Sequence, residues 1–194
     1  MPMGEERDRG GRPRSEPARA AVLWAVDDLL VKVGYAAMTM KGIAELAGVS
    51  RMTLYRWWST KAEILFEASA LDAEEELTVP PVDDPLEDVT RYLEALRHFL
   101  TRSHAGAAYR ALLGEAQHDP EVAALLAGRD ILGDTARAVV SRTAPGADHD
   151  RATGLLIGPM FFWVLSGRDP ARLDPAQLAR SFLAEVSPKD TVDG

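Results

Sequence analysis

The chain of 194 residues has no cysteine, which excludes disulfides, thiolate metal sites and cysteine nucleophiles, and fits a reducing cytosol. It has no apolar run near the roughly 18 residues of a membrane span, so no membrane partner is expected. The opening MPMGEERDRGGRPRSEP carries basic residues with no apolar core behind them, which argues against a secretory signal and for a mobile basic arm over residues 1–14. Aromatics make up only 7% and β-branched runs are scarce, while Ala and Leu dominate. That bias predicts an all-α protein without strands, and the lack of cysteine, secretory signal and membrane span predicts a cytoplasmic one. Signals for catalysis are also missing. His98, His104, His118 and His149 are scattered with no metal-ligand spacing, and neither a P-loop nor a nucleophile elbow occurs. No catalytic residue, metal or cofactor is expected, and the chain does not read as an enzyme.

What is present is unevenly distributed. The net charge of −8 looks unsuited to a nucleic-acid partner, yet residues 1–61 hold ten Lys/Arg against seven Asp/Glu, and the remaining residues twelve against twenty-three. A basic head precedes an acidic body, so a polyanion would be met by the head alone.

Apolar periodicity and capping signals divide the chain into helices. The first is expected from Pro17 to Val33, capped by Ser15, with Ala18, Ala21, Val22, Ala25, Leu29 and Val33 as its stripe and Gly34 as its stop. Short helices follow at Met40–Ala47, with Thr39 as cap, and from Ser50 to about Trp58. Thr60-x-x-Glu63 is a capping box that opens a longer helix ending before Pro80-Pro81. Beyond it come helices at about Pro85–Arg102 and Ala107–Gln117, and one long helix from Asp119-Pro120 to about Thr143. The last two span roughly Asp148–Ser166 and Pro175–Val186, the latter capped by Asp174. The expected domains are a three-helix head over 15–76 and a helical body over 77–194.

Residues 39–58 read TMKGIAELAGVSRMTLYRWW. Two short helices with small residues at their contact, joined by a tight turn at Gly48, have the geometry of a helix-turn-helix. Ile43, Ala44, Ala47, Val49 and Leu54 are expected to face inward. An ordinary helix–helix corner would read similarly, but the outward residues Arg51, Thr53, Tyr55, Arg56 and Lys61 are all donors or dual-function groups. From Gly48 to Ala62 there is no carboxylate. Phosphate repels carboxylates, which gives their absence a physical reason.

The run GYAAMTMKGIAELAGVSRMTLYRWWSTKAEIL resembles the N-terminal domain of the TetR (tetracycline-repressor-like) family, and GEAQHDPEVAALL and GLLIGPMFFWVLSG resemble its divergent C-terminal domain. The resemblance implies that 15–76 is a DNA-binding domain and 77–194 an effector-binding and dimerisation domain, in a homodimeric repressor on a palindromic double-stranded DNA operator, released by a small-molecule effector. It implies phosphate contacts for Thr39, Tyr55 and Lys61, and base-edge contacts for Arg51, Met52, Thr53 and Arg56. The family most often has His-Phe where this chain has Trp57-Trp58. Trp58 reads as core packing; Trp57 either bonds a phosphate through its indole N–H or covers the helix end. Gly42, inside a short helix, is a second departure that carries a cost, with no account beyond close approach to DNA or to a neighbouring helix. Arg7, Arg9, Arg12 and Arg14 of the arm can enter a minor groove or serve as a solubilising tail.

In the body, the resemblance implies that the last two long helices pair across a dimer, with Gly154, Gly158, Phe161 and Leu165 on one face. Leu156, Met160 and Trp163 on the other face, with Tyr109 and Leu113, either line an effector cavity or are plain core. A pure interaction protein is the competing class, and the intact set Thr39, Tyr55 and Lys61 argues against it.

Overall fold

A computed structural model describes residues 15–187. Expectations for the arm, residues 1–14, lie outside the described residues. Among the described residues ten helices follow one another: α1 (Ser15–Ala37), α2 (Met40–Ala47), α3 (Arg51–Trp57), α4 (Lys61–Leu77), α5 (Pro85–Arg102), α6 (His104–Glu115), α7 (Pro120–Gly128), α8 (Ile131–Thr143), α9 (His149–Leu165) and α10 (Pro175–Val186), with a 3-10 turn at Pro170–Arg172. Among the described residues there is no strand, and no helix is long and apolar enough to cross a membrane. The chain divides into two compact units between Ala68 and Ser69, inside α4; the sequence expectation put the end of the head at residue 76.

In the first unit α1 starts at Ser15 itself, not after it, because Pro17 fits the first turn, where its missing N–H costs nothing. Gly34 interrupts the helix at φ 76, ψ 163, the expected stop, and a last turn runs on to Ala37. Val22, Ala25 and Val26 are buried, but Val33 at the end of the expected stripe is 50% exposed. α1 packs on α2, and α2 on α3.

The second unit is built around α5. Val89, Tyr92, Leu93, Leu96, Phe99 and Leu100 are all fully buried, which requires cover on more than one side. α6, α8, α9 and α10 supply it. At the α5–α6 corner a Cβ on Gly106 would fall 1.7 Å from the Phe99 carbonyl oxygen, so only glycine permits this approach. Asp88, 1% exposed, accepts from Arg142 Nε at 2.5 Å and Nη2 at 3.0 Å, tying α5 to α8.

One sequence expectation fails here. The long helix from Asp119 to Thr143 is two helices, α7 and α8, separated at Arg129 and Asp130. Gly128 ends the first; Asp130 caps the second, accepting from the Gly133 amide at 3.0 Å. A Cβ on Gly133 would lie 2.0 Å from Asp130 Oδ2, so the pair Asp130 and Gly133 forms the new start.

Candidate nucleic-acid interface

The geometry between Thr39 and Trp58 follows from local chemistry. Thr39 is extended (φ −132, ψ 150) and its Oγ1 accepts from the Gly42 amide at 3.0 Å, capping α2. A Cβ on Gly42 would sit 3.3 Å from that oxygen, a tight contact that the Thr39 cap would have to relieve by a few tenths of an ångström. Gly48 closes α2 in the left-handed region (φ 66, ψ 27), and the amides of Gly48 and Val49 return to the Glu45 and Ala44 carbonyls. Ser50 then caps α3, its Oγ accepting from the Thr53 amide at 3.1 Å and sharing a hydrogen bond with Thr53 Oγ1 at 2.9 Å. Ile43, Ala44 and Leu54 are buried, while Ala47 and Val49 are half-buried. α3 has seven residues, too few to be stable alone, so this packing holds it.

The other side of α3 is open. Arg51 and Arg56 are exposed, Met52 is 85% exposed and Tyr55 54%. At 100° per residue these four fall within one broad face. Thr53 is half-buried, and Thr39 is exposed at the start of α2. Trp57 is half-buried, with the Arg56 guanidinium 5.5 Å from its ring centre and the Trp58 ring edge-on at 5.6 Å. The face therefore offers two guanidinium groups, hydroxyls and a thioether, with no carboxylate between Gly48 and Ala62.

Lys61 is placed differently from a free phosphate ligand. Its Nζ donates to the carbonyls of Tyr35 at 2.8 Å and Met38 at 3.1 Å, and lies 4.2 Å from the Tyr35 ring centre. The ammonium thus serves carbonyls at the end of α1, with one N–H left over.

Sequence reasoning missed a polar cluster around Trp58. Trp58 is buried at 4% exposure, and its Nε1 donates to Glu67 Oε2 at 2.9 Å. Arg19 stacks its guanidinium 4.7 Å from the Trp58 ring centre and donates to both Glu67 oxygens, at 2.5–3.0 Å. Arg19 and Glu67 are 48 positions apart, and no spacing rule connects them.

In the second unit Met160 and Leu156 are buried, and Leu113 is half-buried. Tyr109 is half-buried between Phe99, centroids 5.9 Å apart, and Phe161, 6.3 Å. Its pKa is pushed up to about 12 by burial and, secondarily, by Asp130. Trp163 is held by a bond from its Nε1 to the Asp169 carbonyl at 2.7 Å. Clefts of about 330, 380 and 220 Å³ occur in this unit, and none is lined by these five residues. The smallest is bounded by Leu77, Val79, Ala138, Val139 and Arg142 among others. On α9, Gly154 is exposed, Gly158 and Phe161 are half-buried and Leu165 is 49% exposed; the Phe161 ring meets Tyr109, and Phe162, at 61%, is exposed beside Leu155. Among the described residues, no group of three or more His, Asp or Glu is placed to hold a metal ion.

Comparison with known proteins agrees with this arrangement. Residues 25–68 match the model for bacterial regulatory proteins of the tetR family, and residues 79–184 match the tetracyclin repressor-like C-terminal domain. The uncharacterized HTH-type transcriptional regulator YdeS of Bacillus subtilis (strain 168) is 38% identical over 113 residues, 58% of this chain and 57% of that one. A DNA-binding transcriptional repressor TetR of Mycobacteroides abscessus is 42% identical over 60 residues, 31% of this chain and 30% of the repressor. The matched stretches thus span little more than half, and under a third, of these curated relatives. The crystal structure of TetR family transcription regulator SCO0332 superposes with a TM-score of 0.67 at 28% identity, over 89% of this chain and all of that one. The C-terminal match alone covers more than half of the sequence, and with the helix-turn-helix at its N-terminal side the chain belongs to the TetR family.

Proposed function

We propose that the chain is a sequence-specific DNA-binding regulator of transcription that acts as a homodimer on a palindromic operator, as a repressor released by a small, largely apolar ligand. The observation that carries this reading is the open face of α3. Arg51, Met52, Tyr55 and Arg56 project from a helix whose other side is anchored by Leu54. An arginine at the leading end suits guanine O6 and N7, and Met52 and the Thr53 methyl suit a thymine methyl. Thr39, Tyr55 and the remaining N–H of Lys61 suit phosphates, as does the Trp57 indole.

One seven-residue helix spans too few base pairs for specificity, which argues for two copies. The apolar outer face of α9, with Gly154, Leu155, Gly158, Phe162 and Leu165, supports pairing of two chains there. The effector role rests on Tyr109, Leu113, Leu156, Met160 and Trp163, a mostly apolar set with one phenol. α4 belongs to both units, so coupling between ligand and DNA runs through it.

Selection of bound duplexes from a random pool tests the reading. Enrichment of an imperfect palindrome, with half-sites one turn or more apart, is the expected result. A pool that stays at its input composition after several rounds rejects it.

A further inference from the structure

α3 is the least secured helix of the first unit. Leu54 is its only buried residue, its N-terminal cap is exposed, and seven residues give it little cohesion of its own. Its attitude must therefore be set by what grips its C-terminal end. That end is Trp58, whose backbone amide closes the helix on the Leu54 carbonyl at 3.0 Å. The Trp58 indole N–H is bonded to Glu67 on α4 at 2.9 Å, and Arg19 on α1 covers the ring while chelating the same carboxylate. Neither contact is needed to bury an aromatic ring; both fix its rotation.

We propose that Trp58, Glu67 and Arg19 form a lock that sets the tilt of α3, so that Trp58 and Glu67 are positioning residues for base recognition although neither faces DNA. The inference rests on the proposed DNA-reading role of α3. Glu67 accepts from two elements at once: an indole at the recognition helix and a guanidinium of α1. Only 36–37% of the Arg19 and Glu67 side chains is exposed, so the pair is partly shielded from solvent. A small rotation of α3 would break the directional N–H bond before it uncovered Leu54. Base-edge contacts demand the same geometric precision, whereas phosphate attraction is long-ranged and tolerant. Loss of the lock is therefore read in discrimination between sequences, not in attraction to DNA.

Trp58→Phe keeps an aromatic ring and removes the N–H, and Glu67→Gln keeps the shape and removes the charge. For each variant and the double variant, affinity is measured for the selected duplex and for a random duplex of equal length. The expected result is a loss of about five- to tenfold in the ratio of the two affinities, with the random-duplex affinity unchanged and the double variant no worse than the poorer single one. A role in folding alone would lower the active fraction and reduce both affinities by one factor, which overturns the proposal. Backbone hydrogen exchange without DNA gives a second arm. The Trp58 amide at the end of α3 should exchange faster in Glu67→Gln, while that of Ile43 in α2 is unchanged. Equal acceleration of both, or none, overturns the lock. If the wild-type protein selects no sequence, the proposed function falls and the exchange comparison alone decides the lock.

Discussion

Replacing Lys61 by Met separates two roles that one side chain can fill. Its ammonium sits at the N-terminus of α4, where the helix dipole disfavours a cation, and what offsets this is the pair of carbonyls of Tyr35 and Met38 at 2.8 and 3.1 Å and the Tyr35 ring at 4.2 Å. Charged hydrogen bonds contribute about 1.5–3 kcal/mol each when shielded, and a cation–π contact about 0.5–1 at exposed sites. Lys61 is half-buried and its two acceptors can turn to water, so the net loss should be about 1–2 kcal/mol. Chemical denaturation of wild type and Lys61→Met measures it. The remaining N–H predicts a second effect: weaker DNA binding on all sequences alike, with a salt slope shallower by about one. Unchanged stability refutes the carbonyl clamp, and an unchanged salt slope refutes the phosphate contact.

Arg142→Ala strands the buried Asp88 carboxylate and should cost about 3–5 kcal/mol, whereas replacing both residues by leucine should recover most of that loss; denaturation of the three variants decides it. Burial raises the pKa of Tyr109 to about 12, above the ordinary 10, and that of Tyr92 further still. Their contribution to stability is therefore intact below pH 10 and is lost as pH rises through the folded-state value, with tyrosinate absorbance appearing late and together with unfolding. Reversible titration of Tyr92 and Tyr109 near pH 10 in the folded protein would contradict this.

The head was legible in the sequence because its signals are local. Thr39, Gly48, Ser50 and the capping box at Thr60 and Glu63 each act within four residues, and the structure bears out each of them: Thr60 Oγ1 accepts from the Glu63 amide, and Glu63 accepts in turn, from Ser59. The break between α7 and α8 was local too. Gly128 followed by Asp130 and Gly133 marks it, but the apolar residues on either side kept a helical period that masked the stop. What escaped was long-range and polar. Nothing in the sequence around Trp58 signals an acceptor at Glu67 or a cover from Arg19, and nothing around Lys61 signals the Tyr35 carbonyl 26 positions earlier. On α9 two adjacent aromatics lie 100° apart, and helical period alone did not signal that the Phe161 ring meets Tyr109 while Phe162 stands exposed.

The claim that the outer face of α3 reads bases is tested most directly at Arg51, which is exposed at the leading end of that helix and makes no contact that the fold needs. Binding-site selection is run in parallel with wild type and Arg51→Ala, and the enriched sequences are compared position by position. Preference should disappear at one base pair in each half-site, at a cost of about 1–3 kcal/mol, and persist at the others. Identical preferences from the two proteins would contradict the account.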